Sequence, residues 1–231
     1  MEDKHKSTLS AAFRLTVPVM FGYVPIGIAF GLLVTHYGFH WVCSPVMSLL
    51  IFSGAGQFVA IALVVAGAGV VEVVLTMILL NLRHSFFGLS LINRFADMGK
   101  TKPYLVFALT DETYALITGN KVPDGIPESK FYGYITVLNH LYWVLGSALG
   151  ALMGKFIDID LTGLEFALTA LFVVLSIEQY RGSKTKFPFI AALAAGAFSL
   201  VFAGSQNMLL VSIIAGTFLL LVYEEVRNNA Y

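Results

Sequence analysis

Residues 41–66 read WVCSPVMSLLIFSGAGQFVAIALVVA, a run without a single charged side chain. A helix needs about 20 predominantly apolar residues to cross the hydrocarbon layer of a bilayer, and this run exceeds that length. Its centre contradicts a plain spanning helix. Phe52-Ser53-Gly54-Ala55-Gly56-Gln57-Phe58 sets two glycines between a Ser and a Gln. Glycine admits backbone conformations that a helix does not use. In lipid, any N–H or C=O freed by such a turn must find another partner or line a wet cavity. The stretch therefore predicts a helix broken or re-entrant at membrane depth. A half-helix starting after the break aims its free N–H groups and positive dipole end into the protein, where a carboxylate is a natural ligand. The alternative is ordinary small-residue helix packing.

The rest of the chain agrees with a membrane setting. Of its 231 residues, 58% are hydrophobic and 12% charged, with a mean hydropathy of +0.81, whereas soluble domains carry about 25% charged residues. The formal net charge is zero, so there is no basic face for nucleic acid and no acidic tail. One cysteine, Cys43, removes disulfide frameworks and paired-cysteine metal or redox motifs. No metal or cofactor is implied. Disorder is excluded by the same apolar content.

Seven stretches have the composition and approximate length of spans: 15–35, 41–66, 70–91, 132–153, 161–177, 187–203 and 207–223. An eighth, 103–119, carries Asp111 and Glu112 at its middle and either crosses beside a cavity or dips in and returns. The expected fold is thus an all-α polytopic transmembrane helix bundle of about seven to eight segments with broken or re-entrant helices, forming one integral membrane domain over 1–231. Residues 1–14 read as a cytoplasmic amino-terminal tail, followed by a retained anchor rather than a cleaved signal. Positive charge gathers at Lys4, Lys6 and Arg14, at Arg94, Lys100 and Lys102, and at Arg181, Lys184 and Lys186. The positive-inside rule would put all three groups in the cytoplasm. Simple alternation of the spans cannot do that, so something is re-entrant, and 53–57 and 103–119 are the candidates.

A possible internal repeat shows at an offset of 119. Tyr23, Gly27, Ala29, Gly31 and Leu33 fall on Tyr142, Gly146, Ala148, Gly150 and Leu152, and Gln57 falls close to Gln179. Internally duplicated transporters look like this. Pro18 and Pro25 are expected to kink the first span, and Phe202 to Asn207 reads as a tight turn.

Charged side chains at membrane depth cost about 2.5–3.5 kcal/mol on insertion scales, so those that persist usually face a cavity or a partner. Asn81, Arg83 and His84 sit near the end of an apolar span. They line a cavity, or Arg83 snorkels to the headgroups. Asp111 and Glu112 lack that escape and are the stronger signal, either as a binding feature or as a structural ion pair with Arg83. Asn139 and His140 are polar residues a third of the way into their span; the ordinary reading is interhelical glue for the first and a packing histidine for the second. Trp41, Tyr132, Tyr134, Trp143, Tyr180 and Tyr223 suit, in part, a membrane-interface belt. Glu178 reads as interfacial.

Five motifs in order, Pro25-Ile26-Gly27-Ile28-Ala29-Phe30-Gly31, Phe52-Ser53-Gly54-Ala55-Gly56-Gln57-Phe58, Leu80-Asn81-Leu82-Arg83-His84, Leu109-Thr110-Asp111-Glu112-Thr113-Tyr114 and Asn139-His140-Leu141-Tyr142-Trp143, resemble those of the AzlC family of branched-chain amino acid permeases. The resemblance covers nearly the whole chain. It implies an exporter of branched-chain amino acids such as L-valine in the bacterial cell membrane, working with a small AzlD-type membrane partner. It assigns no residue roles.

Read from the residues, the expected binding set is Ser53, Gly54, Gly56 and Gln57 for the substrate carboxylate and Asp111 or Glu112 for its ammonium, with Asn81, Arg83, His84, Asn139 and His140 lining the cavity or coupling an ion. There is no Gly-x-x-x-x-Gly-Lys-Ser/Thr loop for ATP, no His-Glu-x-x-His and no Gly-x-Ser-x-Gly, so a secondary transporter rather than an enzyme is expected. The rival reading is a non-transporting membrane subunit that stabilises or gates a partner.

Overall fold

The computed structural model describes residues 2–156, 173, 176–177, 180–181, 185–202 and 204–229. Most of the expected span 161–177, together with Glu178 and Gln179, lies outside the described residues. Among those described, all regular structure is helical. The chain forms two compact units. Unit 1 holds the chain up to Val65 and resumes at Asn81; unit 2 holds Ala66–Leu80 and the carboxyl-terminal part.

The described residues form nine α-helices, in chain order α1 Glu2–His36, α2 Cys43–Leu50, α3 Gly54–Val65, α4 Val70–Ser90, α5 Lys102–Phe107, α6 Asp111–Gly119, α7 Glu128–Phe156, α8 Phe187–Phe202 and α9 Gly204–Asn229. Among the described residues, three stretches are long and apolar enough to cross a membrane by length and composition: Thr8–His36, Val70–Ser90 and Glu128–Phe156. The helix of α1 runs on past Pro18 and Pro25. In unit 2, α9 begins at Gly204, whose φ is 73°, and Ser205, Gln206 and Asn207, expected in a tight turn, are helical.

In unit 1, α1 and α7 lie side by side and run in the same direction. A Cβ added at Gly146 would meet Val24 O at 2.7 Å, one at Gly150 would fall on the Ile28 backbone, and one at Gly154 would fall on the Thr35 side chain. Rising numbers on one helix thus meet rising numbers on the other. Gly27 and Gly31 answer from α1, where an added Cβ would meet the backbone of 143–147 and of 147–151. Small residues every fourth position let two backbones touch, and in lipid such contact is a main source of helix association. Of the residues matched at offset 119, Gly27 and Gly146, and Gly31 and Gly150, therefore pack against one another across this interface. Close packing alone accounts for the echo of Gly27 with Gly146 and Gly31 with Gly150.

The run 41–66 does break, at residues 51–53, just before the glycines. Phe52 there has φ 41°, a left-handed conformation rare for a bulky side chain. The two halves make a hairpin. Trp41, ahead of α2, lies under Lys155 near the carboxyl end of α7, with Nζ 5.0 Å from the ring centroid. Ser44 bonds Ser147 O at 3.1 Å, and Ser48 O meets His140 at 3.2 Å, so α2 descends along α7 toward its middle. α3 climbs back: Gln57 meets Trp143, and Phe58 stacks edge-on against Phe30, which also stacks on Trp143.

Residues 103–119 break at 108–110 and form a second hairpin from the other end. Arg94 precedes it and lies over the ring of Tyr132 near the start of α7, and the same guanidinium donates to Ile117 O at 3.0 Å near the end of α6. Met98 and Ile117 share a buried cluster with Ala12, Phe131 and Tyr132. Both ends of this hairpin therefore sit where α1 and α7 begin, while Tyr104 and Thr113 reach His140 and Asn139 near the middle of α7. Residues 103–119 thus turn back on themselves within unit 1. α4 runs from Asn81, beside the first break, to Leu91 in that same cluster, antiparallel to α1. A long helix followed by a re-entrant hairpin thus occurs twice, α1 with α2–α3 and α4 with α5–α6, in opposite directions. This is the inverted arrangement common in transporters, and it differs from the offset-119 echo.

Candidate functional site

Both hairpins reach Tyr23 of α1 and His140 of α7 in unit 1. Tyr23 of α1 stands between them: its ring is edge-on to Phe52 at 6.4 Å and to Trp143 at 5.6 Å. Its hydroxyl donates to Glu112 Oε2 at 2.5 Å and lies 2.8 Å from Thr110 Oγ1. Tyr23 is buried, 8% exposed, and its place well inside an apolar span is the sequence signal that marks it; read only as part of the echo, it was missed as a site residue.

Each tip starts a half-helix. At α6, Thr110 is extended and its Oγ1 accepts from the Thr113 N–H at 3.3 Å, an ordinary N-cap, with Asp111 and Glu112 in the first turn where the helix dipole favours anions. At α3, Ser53 holds the corresponding place, but its hydroxyl donates to Asn81 Oδ1 at 2.6 Å. The first backbone bond of α3 runs from Gln57 N–H to Ser53 O at 2.8 Å, so the N–H groups of Gly54, Ala55 and Gly56 have no partner within the helix. No acidic residue occupies this first turn. The two positive helix ends therefore differ: α6 brings its own carboxylates, and α3 brings none.

The charged residues separate into two kinds. Arg83 Nη1 is 2.7 Å from Asp111 Oδ2, with the side chains 30% and 38% exposed; Arg83 turns inward to a partner instead of toward headgroups. Glu112 is met by the Tyr23 hydroxyl. His84, half-buried, lies on α4 with its ring 6.1 Å from Phe87.

On α7, Asn139 is fully buried and donates from Nδ2 to Thr113 Oγ1 at 2.9 Å, leaving its Oδ1 buried without a hydrogen bond. His140 joins the hairpins. Its Nε2 is 3.2 Å from Ser48 O of α2, its Nδ1 is 2.9 Å from Tyr104 Oη of α5, and Phe52 stacks on it at 4.2 Å. A carbonyl only accepts, so Nε2 carries the proton and Nδ1 accepts from Tyr104 in the neutral ring. Gln57 is fully buried between Ser48 Oγ, to which it donates at 3.1 Å, and Trp143 Nε1, from which it accepts at 2.8 Å. Both ends of its amide are engaged in holding α2, α3 and α7 together. Trp143 is thus a buried partner of the tip and leaves the interface belt, whereas Trp41 pairs with Lys155.

Ser53, Gly54, Gly56, Gln57, Asn81, Arg83, His84, Asp111, Glu112, Asn139 and His140 all belong to unit 1. Tyr23, Thr110, Thr113, Tyr104 and Trp143 join them. Two half-helices that begin at breaks in apolar runs thus lie beside helices long and apolar enough to cross a membrane.

The sequence profile described as AzlC protein matches residues 18–157, a range that includes both hairpins and α7. The branched-chain amino acid transport protein AzlC of Bacillus subtilis is 32% identical over 205 residues, covering 89% of this chain and 81% of that one. An uncharacterized membrane protein of Helicobacter pylori is 35% identical over 93% of this chain and 94% of its own length. The inner membrane protein YgaZ of Escherichia coli is 29% identical over 91% and 88%. No solved structure matches. This chain belongs to the AzlC family.

Proposed function

We propose that this chain is a multi-pass secondary transporter of the bacterial cell membrane that exports branched-chain amino acids such as L-valine, driven by an ion gradient and working with a small AzlD-type membrane partner. The observation that carries this reading is the meeting of the α3 and α6 amino-terminal ends at Tyr23, one end free of acids and the other bearing two. The substrate carboxylate lies against the N–H groups of Gly54, Ala55 and Gly56, and its ammonium faces Glu112, because Asp111 already has Arg83. Apolar walls take the branched side chain. A methylene more or less in such a pocket is worth about 1–3 kcal/mol, so selectivity among valine, leucine and isoleucine is modest. The name of the Bacillus relative supports the substrate class.

Orientation follows from charge. The start of α1, residues 93–102 and the loop 120–130 share one end of unit 1 and carry Lys4, Lys6, Arg14, Arg94, Lys100, Lys102, Lys121 and Lys130, which supports a cytoplasmic reading of that end. Arg181, Lys184 and Lys186 belong to unit 2.

Counterflow of labelled valine in proteoliposomes, with and without a pH gradient, tests the reading for the chain alone and with its partner. Valine exchange by the chain with a partner, and its loss in Glu112→Gln, are expected. Absence of exchange under both conditions overturns the carrier reading and leaves the non-transporting subunit. Native flux in both Asp111→Asn and Glu112→Gln removes the acids from the mechanism.

A further inference from the structure

We infer that Glu112 is the coupling carboxylate, held alternately by a proton and by the substrate's ammonium, so that the transporter is a proton antiporter. The inference rests on the reading above and deepens it. Its basis is the unequal treatment of two adjacent acids. Asp111 is neutralised by Arg83 at 2.7 Å, so it has no need of a further cation. Glu112 is met by the neutral Tyr23 hydroxyl at 2.5 Å, and among the described residues no basic side chain stands within salt-bridge distance of it.

The groups that face Glu112 can be taken helix by helix. From α1 there is Tyr23; from α4, Arg83 and His84, the first engaged with Asp111 and both close enough to feel the carboxylate or its neighbour. On α6 itself there is Asp111. α7 presents Asn139 through Thr113, and its His140 is turned to Ser48 and Tyr104. The amino-terminal end of α6 offsets part of a negative charge, but one carboxylate remains without a full countercharge. A charge left so at membrane depth is costly, and two species relieve it: H⁺ or R–NH₃⁺. Both occupy the same oxygens, so they exclude one another.

The cycle balances simply. With Glu112 protonated, Arg83 and Asp111 sum to zero and the site is neutral. When valine enters, the Glu112 O–H bond breaks, its proton leaves to the aqueous side then open, and the ammonium takes its place while the valine carboxylate lies at the α3 amino-terminal end. Release of valine on the other side lets a proton return to Glu112 from that side. One proton moves inward for each zwitterion moved outward, and the exchange carries one net charge.

The test is calorimetric titration of L-valine into the full-length chain in nanodiscs, with its partner present, in two buffers of different ionisation enthalpy at several pH values. The wild type is expected to release a proton on binding, approaching one per valine at low pH, with apparent affinity weakening about tenfold per pH unit there, as mutually exclusive binding requires. Glu112→Gln, checked for folding by size-exclusion chromatography, is expected to bind valine weakly and release none. Tyr23→Phe removes only the hydroxyl that meets Glu112, so proton release on valine binding should persist. His84→Gln and His140→Gln should still release a proton. Valine binding without proton release, or release that survives Glu112→Gln, overturns this inference and leaves the transport reading intact. No binding of valine, leucine or isoleucine overturns both.

Discussion

The α1–α7 interface supports a graded test at single glycines. Carbon atoms in ordinary contact stand about 3.5–4.0 Å apart. A Cβ at Gly133 of α7 meets nothing within 4 Å, one at Gly27 meets Ser147 N at 3.0 Å, and one at Gly150 lies 2.7 Å from Ile28 Cα and nearer still to its carbonyl oxygen. To accept Gly150→Ala, the helices must separate by about 1 Å, and a gap of about 0.5–1 Å already forfeits a quarter to a half of each contact's attraction. The obstructing atoms are backbone, so no rotamer change relieves the overlap. Overpacking of this kind costs about 1–3 kcal/mol. Gly150→Ala should stand at the upper end, Gly27→Ala near 1 kcal/mol, and Gly133→Ala at zero or slightly stabilised through its higher helix propensity, about 0.8–1.0 kcal/mol in water. Thermal unfolding in detergent, followed by circular dichroism and by Trp143 fluorescence, gives the ranking. Equal melting of Gly133→Ala and Gly150→Ala, or a Gly150→Ala variant as stable as the wild type, would refute parallel backbone contact between α1 and α7.

The hairpins predict a labelling pattern: in a Cys43→Ser background, cysteines at Lys102 and Asn120 should react with an impermeant maleimide from one side of the membrane, and cysteines at Gly38 and Gly67 from the other. Labelling of Lys102 and Asn120 from opposite sides would mean that 103–119 crosses. Trp143→Phe leaves Gln57 Oε1 buried and unpaired, which costs about 1–3 kcal/mol; adding Gln57→Leu should return part of the lost stability in the same melts. Arg94 holds the carboxyl-terminal end of α6 through Ile117 O, so Arg94→Ala should speed hydrogen–deuterium exchange across 111–119 while exchange at Gly54–Val65 stays as in the wild type.

Much of this was legible before the coordinates. Ser-Gly-Ala-Gly-Gln in an uncharged run announced a break, because glycine and short polar side chains serve a freed backbone, and the break lies at 51–53. The acidic pair left two readings of 103–119, crossing beside a cavity or dipping in and returning, and α6 begins at Asp111. The conflict among basic clusters required a re-entrant segment, and both candidates are hairpins. Other readings needed the partner to be visible. Gln57 was expected at the substrate, but its amide is taken up by Ser48 and Trp143. Trp143 has the composition of a belt residue and the position of a core one. The offset-119 echo looked like duplication because matching small residues are also what two parallel helices need in order to touch.

Composition and local spacing were enough to decide the solvent, the helical class and the positions at which helices fail, because hydrophobicity, charge desolvation and backbone satisfaction act over one or two turns. What tertiary structure alone decided is which polar atoms meet. Ser53 and Asn81 are 28 residues apart, Gln57 and Trp143 86, and Tyr23 and Glu112 89. The hydrogen bonds between them exist only once α1, α4 and α7 bring the two tips together, and that same convergence leaves Glu112 without the cation that Asp111 has.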